Sequence, residues 1–199
     1  MSVGHRDELT GLPTRVALLR YMKTAVPEAA ARGRKLALAI IDINKMREIN
    51  ETVGVFKGDE IIRRVAACLK DSLQPNDFLT RFGGHKFAVV MSFANQARVE
   101  ETIERAMRAC SEPVKLGSIQ KTVSVSVGCS VFPDCSDRLE EVIALADTAA
   151  GKASLKNSTH PVFFDHSMRK DLDQRRWVES RMEDAIETGK IQPFYQPLI

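Results

Sequence analysis

The feature that most constrains the fold is a pair of glycines between two short apolar runs. Residues 78–82 read FLTRF, residues 87–91 read FAVVM, and Gly83, Gly84, His85 and Lys86 lie between them. Because glycine adopts positive φ without a steric penalty, paired glycines at this spacing are typical of a tight turn between antiparallel strands. The sequence therefore predicts a β-hairpin with Gly83 and Gly84 at its tip.

The rest of the chain alternates between strand-like and helical patterns. Residues 36–43 form a continuous apolar run ending in Asp42, as expected of a buried strand, and residues 122–132 and 161–164 also resemble strands. Apolar residues recur at helical spacing over 58–73, 96–110 and from 139 onward. This order predicts an α/β (α+β) fold with a mixed, mostly antiparallel sheet and helices packed on it.

The composition argues against several classes of protein. A net charge of +3 over 199 residues is too small to indicate a nucleic-acid surface. No apolar run reaches the roughly 18 residues of a membrane span, and residues 1–9 are too polar for a signal peptide. The four cysteines form no C-x-x-C pair, so we expect free thiols in a reducing compartment. We expect a cytoplasmic segment without nucleic-acid or membrane contact, although the full-length protein could be anchored upstream.

The C-terminal part has a different pattern. Residues 167–189 have helical spacing, with Met168, Val178 and Met182 on one face, and Gly189 suits the end of a helix. Residues 191–199 (IQPFYQPLI) look like the beginning of a strand. We therefore predict a domain over 1–166, a connecting helix over 167–190, and the start of a truncated second domain over 191–199.

Asp42 is the first candidate for chemistry, because it is a lone acid at the end of a buried strand. Its carboxylate would serve either as a metal ligand or as a cap on the next turn, and the spacing leaves both open. The backbone carbonyl of Ile43 would add an oxygen ligand of the kind that magnesium prefers.

Asn50 and Asp59 form the second candidate, nine residues apart around Gly54. A carboxylate accepts hydrogen bonds from the N1 and N2 protons of guanine, and an amide pairs with its remaining polar atoms. Asn and Asp near the start of a helix also serve as caps, so this alternative stays open.

The hairpin tip is the third candidate. Gly83 and Gly84 would let a phosphate approach the backbone, or would only form a turn. Arg47 and Arg81 would be phosphate contacts or ordinary surface charges.

These residues occur in the order of a known family. Residues 7–15 (DELTGLPTR) resemble D-x-L-T-G-L-x-N-R, residues 42–59 resemble D-x-D-x-F-K-x-I-N-D-x-x-G-H-x-x-G-D, and residues 81–87 (RFGGHKF) resemble R-[FY]-G-G-[DE]-E-F. Over about 5–165 the chain resembles GGDEF domains, the diguanylate cyclase family. The resemblance implies a nucleotidyl-cyclase-like fold with a βα-ββ-αβ ferredoxin-like core. In an active member a magnesium pair, held partly by the positions of Asp42 and Ile43, joins two GTP molecules across a dimer.

The tail resembles a second family. Residues 181–186 and 194–199 are similar to the linker and first strand of an EAL domain, the cyclic di-GMP phosphodiesterase family. This resemblance implies that the chain comes from a larger GGDEF–EAL protein, in which the EAL domain of the same polypeptide is its partner.

The hairpin departs from the family pattern in its charge. His85 and Lys86 replace two acids, a change of about three charge units with His85 counted as neutral, and a lysine beside a divalent cation repels it. Asn44 also replaces an acid, and Ser154 stands where a phosphate-binding lysine is expected. We expect neither residue of the tip to be catalytic.

The product-inhibition motif R-x-x-D of the family also lacks its arginine. It reads Gln74-Pro75-Asn76-Asp77 here, which leaves Asp77 as a remnant, and we expect this inhibitory site to be dead or weak.

We therefore predict a catalytically inactive GGDEF domain that regulates an adjoining EAL domain. The resemblance implies GTP as its ligand, with Mg²⁺ only when GTP is bound, at Asn50, Asp59, Arg47, Arg81, Gly83 and Gly84. One alternative is a protein-interaction or homodimerisation scaffold that binds no nucleotide. Another is an active diguanylate cyclase with an unusual tip, so enzyme activity stays open.

Overall fold

The computed structural model describes residues 6–116 and 119–169, together with 177–178, 181–182, 185–186 and 188–189. The chain divides into two compact units, Met1–Phe164 and Asp165–Ile199. In the second unit a 3-10 turn spans His166–Met168. Most of the predicted connecting helix and all of residues 191–199 lie outside the described residues.

A five-stranded sheet forms the centre of the first unit. Its strands are β1 (Lys35–Ile43), β2 (Phe78–Gly83), β3 (Lys86–Phe93), β6 (Val125–Phe132) and β7 (Val162–Phe163), in the spatial order β2-β3-β1-β6-β7. The pairing of β6 with β7 is parallel and the other pairings are antiparallel. Strands β4 (Val114–Leu116) and β5 (Ile119–Lys121) form a separate antiparallel pair. The prediction of a mixed, mostly antiparallel sheet is confirmed.

Five α-helices accompany the strands within the described residues: α1 (Arg15–Ala31), α2 (Met46–Val53), α3 (Val55–Ser72), α4 (Gln96–Cys110) and α5 (Leu139–Leu155). The sequence of β1, α3, β2, β3, α4 and β6 gives the expected βα-ββ-αβ order. Two features differ from the expectation. Helix α2 was not predicted, and Gly54 at φ +84° separates it from α3; the pair β4–β5 was not predicted either.

The continuous apolar run of β1 is explained by burial on both faces of the sheet. Successive side chains of a strand point to opposite faces. Ala37, Ala39 and Ile41 belong to a core formed with α3 and α4. Leu36, Leu38 and Ile40 belong to a second core formed with α1 and α5. Because a hydrophobic core covers each face of β1, its sequence does not alternate between apolar and polar residues.

The predicted hairpin is present and its tip lies beside the end of β1. Gly83 and Gly84 have φ values of +148° and +53°, which L-residues with side chains adopt rarely. Asp42 is the cross-strand partner of Lys86, and the Ile43 amide donates to the His85 carbonyl at 3.2 Å. The central position of β1 therefore brings Asp42 against the hairpin tip.

Two predictions from composition can be compared with the described residues. All four cysteines are free thiols, as expected, and Cys68, Cys110 and Cys129 are buried. Within the same part of the chain, no helix combines the length and apolarity that crossing a bilayer requires.

Candidate functional site

Four charged or titratable groups meet where β1, the hairpin and α5 converge. Lys86 Nζ lies 2.7 Å from Asp147 Oδ1 and 3.9 Å from Asp42 Oδ2. His85 Nε2 lies 3.1 Å from Asp42 Oδ1, although Oδ1 has no partner with hydrogen-bond geometry among the described residues. The two residues that replace the acids of the hairpin motif are therefore engaged with the protein's own carboxylates.

The environment of Asp42 acts on its ionisation in two directions. Burial raises the pKa of this carboxyl above 3.8, and the charge of Asp147 raises it as well, while His85 and Lys86 lower it. The Asp42 side chain is only 17% exposed, so burial outweighs the two favourable neighbours. An ionised Asp42 thus depends on the cation beside it.

The side chains of this cluster do not fit a divalent cation. Magnesium prefers several oxygen ligands, whereas here Asp42 is joined by an imidazole and by an ammonium that already contacts it. No group of three His, Cys, Asp or Glu side chains suited to a metal occurs in the part of the chain that the structure describes. The Ile43 amide holds the tip through His85, but the position offers no second carboxylate free of Lys86.

Asn44, which replaces a second acid of the family pattern, lies in a network of hydroxyl groups. Its Nδ2 donates to Ser124 Oγ at 3.1 Å, and its Oδ1 accepts from Ser126 Oγ at 2.8 Å. Ser154 Oγ also donates to Asn44 Oδ1, at 3.4 Å. The two departures at positions 44 and 154 therefore contact each other, and neutral hydrogen bonds occupy a region where the family pattern has charges.

Asn50 and Asp59 lie in the interiors of α2 and α3, not at their starts. The N-cap positions are Lys45 and Gly54, and neither makes a side-chain cap hydrogen bond. The predicted helix start at Gly58 was therefore three residues late, and the capping alternative does not describe these side chains. Asn50 Oδ1 is buried without a hydrogen-bond partner in the described residues, so its acceptor capacity is unsatisfied.

Gly58 permits the position of Asn50. A Cβ built on Gly58 would lie 1.9 Å from Asn50 Oδ1 and 2.8 Å from Met46 Cε. Glycine is needed at position 58 because the side-chain amide of Asn50, from α2, lies directly against the backbone of α3. The half-buried Asp59 is the next residue of α3.

Arg81 is buried, which differs from an ordinary surface charge. It is 7% exposed, its guanidinium stacks over the Phe87 ring at 4.8 Å, and its Nη1 has no hydrogen-bond partner in the described residues. Burial lowers the pKa of Arg81, while the charges of Asp7 and Asp59 raise it. The charge of Arg81 therefore interacts with Asp7 of the N-terminal motif and with Asp59 of the candidate guanine site.

A small open cavity lies beside the hairpin tip. It has a volume of about 470 Å³ and is lined in part by Arg81, Gly83, Gly84, Asp7 and Arg15. A Cβ built on either glycine would meet nothing within 4 Å, so a ligand has room to approach the backbone there.

Arg47 lies apart from the residues of this cavity, since its side chain is 92% exposed and pairs with Glu51 one turn along α2 at 3.0 Å. The described contacts do not join Arg47 to the cluster.

Asp77, the remnant of the inhibitory motif, is engaged in local structure. Its side chain is 1% exposed, Oδ1 lies 3.4 Å from Arg98 Nη2, and Oδ2 accepts from the Gln74 amide at 2.9 Å. Arg98 also donates to Gln74 Oε1 at 2.6 Å. Gln74, which stands at the arginine position of the motif, therefore accepts a hydrogen bond from Arg98 of α4.

Comparison with known proteins decides the family. The family described as "Diguanylate cyclase, GGDEF domain" matches residues 4–160, which is most of the chain. The chain belongs to the GGDEF family. Residues 81–87, the segment that resembles the hairpin motif of the family, lie inside this match.

Curated relatives of the chain include proteins with opposite named activities. The cyclic di-GMP phosphodiesterase NbdA of Pseudomonas aeruginosa is 24% identical over 97% of the chain and 25% of its own length. The diguanylate cyclase DosC of Escherichia coli is 34% identical over 72% of the chain and 31% of its own length. The chain therefore spans between a quarter and a third of the relatives it matches.

A solved structure confirms the fold. The isolated GGDEF domain of TpbB (YfiN) from Pseudomonas aeruginosa superposes with a TM-score of 0.81 at 24% identity, over 85% of this chain and 99% of that one. The α/β (α+β) prediction and the assignment of the domain to cyclic di-GMP signalling proteins are thus both supported.

Sequence reasoning overlooked two residues of this GGDEF domain's site. Neither Asp147 nor Arg98 was predicted from the sequence to have a role in the site. Neither contact had a sequence signal, since Lys86 and Asp147 are 61 residues apart and Arg98 is 21 residues from Asp77.

Proposed function

We propose that this chain is a catalytically inactive GGDEF domain that binds GTP and regulates an EAL domain of the same polypeptide. The observation that carries the proposal is the ion-paired tip, in which Lys86 contacts Asp147 at 2.7 Å and Asp42 at 3.9 Å. Phosphoryl transfer with two metals requires carboxylates that are free to hold those metals. An ammonium between the carboxylates removes that function while leaving the fold intact.

Support for nucleotide binding comes from Asn50 and Asp59. The buried Asn50 Oδ1 lacks a partner in the described residues, and the glycine at 58 makes room for its amide. A partner-free buried polar group is unfavourable by about 1–3 kcal/mol, so a ligand that satisfies it gains affinity. Guanine offers the donors that the Asp59 carboxylate accepts, whereas adenine presents a different edge.

The role as a regulator draws on the relatives. NbdA is named a phosphodiesterase, and the chain matches a quarter of its length, which leaves room for further domains in such proteins. The resemblance of residues 181–199 to an EAL linker points in the same direction. A GGDEF domain without cyclase chemistry then acts on its neighbour by binding nucleotide, because differential binding to two states is the means by which a ligand shifts activity.

Calorimetric titration of the purified chain with GTP tests the proposal. We expect saturable GTP binding, weaker ATP binding, and no cyclic di-GMP after incubation with Mg²⁺. Asp59→Ala should weaken GTP binding by about tenfold or more, since a charge-assisted hydrogen bond contributes roughly 1.5–3 kcal/mol. Glu60→Ala, on the exposed side of the same helix, is the matched control and should bind as the wild type does. Absence of GTP binding at millimolar concentration would contradict the proposal.

A scaffold for protein contacts is the second candidate function. In the second unit Val178, Met182 and Ile186 follow one another at four-residue spacing and are 41%, 54% and 63% exposed. Such a stripe suits packing against an apolar partner. Light scattering of the wild type and of Met182→Ser with Ile186→Ser separates the two functions. A dimer that the double variant loses, in a chain that binds no GTP, would favour the scaffold.

A further inference from the structure

Lys86 occupies a position between two carboxylates that belong to different layers of the fold. Asp42 lies on β1 as the cross-strand partner of Lys86, and Asp147 lies on α5. The ammonium is 2.7 Å from the second and 3.9 Å from the first. The Lys86 ammonium thus contacts carboxylate oxygens from a strand and from a helix. Proteins bind metal ions through oxygen ligands in a similar arrangement.

The two carboxylates cannot separate without disturbing the core. Helix α5 packs against the sheet through the buried Ala146 and Ala150, and Asp147 follows directly after the first of these. Asp42 is flanked by the buried Ile41 and Ile43 of the central strand. Because the backbone fixes both acids, a cation between them offsets their mutual repulsion.

We propose that the Lys86 ammonium takes the place of a divalent cation between Asp42 and Asp147, so that guanine nucleotide binds this domain without metal. The claim that nucleotide binds without metal rests on the proposed function. The claim that the Lys86 ammonium replaces a cation rests on the geometry of the cluster alone. A divalent ion entering the cluster would meet the ammonium at close range and would have to break its contact with Asp147. The protein therefore supplies its own positive charge.

Removal of the ammonium should create a metal site. As they lie in the wild type, the side chains of Asp42, Asp147 and His85 do not form a metal-binding group. Without Lys86 the two carboxylates lose their cation, and a shift of these side chains toward one another would supply the carboxylate and imidazole donors that Mn²⁺ accepts. The probe is therefore MnCl₂ alone, without nucleotide. A cation that binds only the folded state raises the melting temperature by mass action.

The first experiment compares melting temperatures with and without Mn²⁺. We expect Lys86→Ala to gain about 2–4 °C in saturating Mn²⁺ and the wild type to shift by less than about 1 °C. Lys35→Ala is the matched control, since it removes a 2.6 Å pair with Asp134 elsewhere on β1 but leaves a single exposed carboxylate. It should behave like the wild type, and Lys86→Ala with Asp147→Asn should lose the gain.

Lys86→Met keeps the apolar stem of the side chain and serves if Lys86→Ala folds poorly. Calorimetric titration of this variant with MnCl₂ should show one site that the wild type lacks. Equal Mn²⁺ binding by the wild type and both variants would overturn the proposal, as would the absence of any gain in the variants.

The second experiment measures GTP affinity of the wild type in Mg²⁺ and in EDTA. We expect dissociation constants within about twofold of each other, since no bound metal links the phosphates to the carboxylates. An affinity that tightens about tenfold or more with Mg²⁺ would overturn metal independence. Absence of GTP binding in both buffers would contradict the proposed function only, and the Mn²⁺ titrations would still decide the role of Lys86.

Discussion

At the scale of single residues, neighbouring side chains determine both the pKa of Asp42 and the need for glycine at position 58. Burial raises the pKa of Asp42, while His85 and Lys86 beside it lower that pKa. Gly58 is required not by its φ but by the side chain that lies on it. These local conditions lead to two predictions.

Asp42 should titrate above its ordinary pKa of 3.8, as measured by carboxyl chemical shifts. Since Lys86 lowers this pKa, Lys86→Ala should raise it further, and Asp147→Asn should lower it because the charge of Asp147 raises it. A raised folded-state pKa means that the contribution of Asp42 to stability is full below the unfolded value and is lost as pH rises through the folded value. Asp42→Asn should therefore flatten the pH dependence of stability in that window. An unchanged Asp42 titration in Lys86→Ala would contradict this electrostatic account.

Gly58→Ala should impair GTP binding more than it impairs stability. The added Cβ meets the movable ends of Asn50 and Met46, so the side chains shift while the better helix propensity of Ala, about 1 kcal/mol, offsets the strain. We expect affinity to fall by about tenfold with a stability change within about 1 kcal/mol. The control is Gly151→Ala in α5, where a Cβ meets nothing within 4 Å and where stability should rise by roughly 0.4–1 kcal/mol. Wild-type GTP affinity in Gly58→Ala would show that Asn50 is not a ligand contact.

At the scale of elements, the sheet and α5 are in unusually close contact. A Cβ built on Gly128 of β6 would lie 1.9 Å from the Ala150 amide nitrogen and 2.4 Å from the Ala146 carbonyl oxygen. The atoms in the way belong to the helix backbone and cannot rotate aside. The helix can approach this far only because the strand has no side chain at that position.

Gly128→Ala should therefore destabilise the domain by roughly 3 kcal/mol or more, because relief requires α5 to move away from the sheet. Urea denaturation of this variant and of Gly151→Ala, the α5 control, measures the difference. A loss below about 1 kcal/mol would mean that α5 shifts easily, and Asp147 would then not be fixed against Lys86.

At the scale of the whole molecule, the proposed loss of cyclase chemistry would involve several elements. The tip lies on the hairpin, Asn44 follows β1, and Ser154 lies on α5, where it donates to Asn44 at 3.4 Å. The three buried thiols, Cys68, Cys110 and Cys129, all belong to the core that the sheet forms with α3 and α4, so this face of the sheet is well covered.

Restoring the hairpin acids should not restore activity. His85→Asp with Lys86→Glu leaves Asn44 in its hydroxyl network and leaves a serine at position 154, so metal and triphosphate contacts remain incomplete. We expect no cyclic di-GMP from this double variant with GTP and Mg²⁺, as judged by chromatography. Its formation would show that the tip alone blocks catalysis.

Alkylation of the native protein should label Cys135 before the other thiols. Cys135 is partly exposed, whereas burial raises the pKa of Cys110 to about 12 and raises the pKa of Cys129 as well. The thiolate is the reactive form, so both buried thiols should react only after unfolding. Mass spectrometry of peptides after brief iodoacetamide treatment checks the order, and rapid labelling of Cys129 would contradict the packing of β6.

Much of this protein is determined locally by its sequence. Paired glycines between apolar runs determine a hairpin, and an uninterrupted apolar run determines a strand buried on two faces, because φ preference and side-chain alternation act over a few residues. The order of motifs likewise determined the family and the two substitutions at the tip. Helix α2 escaped notice because its 8 residues are too few for a helical apolar pattern to stand out before Gly54, at φ +84°, ends it.

Only the tertiary structure decided how the substituted residues are used. The pairing of Lys86 with Asp147 and of Ser154 with Asn44 joins residues 61 and 110 positions apart, and no local preference predicts such contacts. From the sequence, Lys86 was expected only to repel a divalent cation, whereas the fold places its ammonium against the carboxylates of Asp42 and Asp147. Charges act through distance and burial, and both are set by packing β1, the hairpin and α5 together.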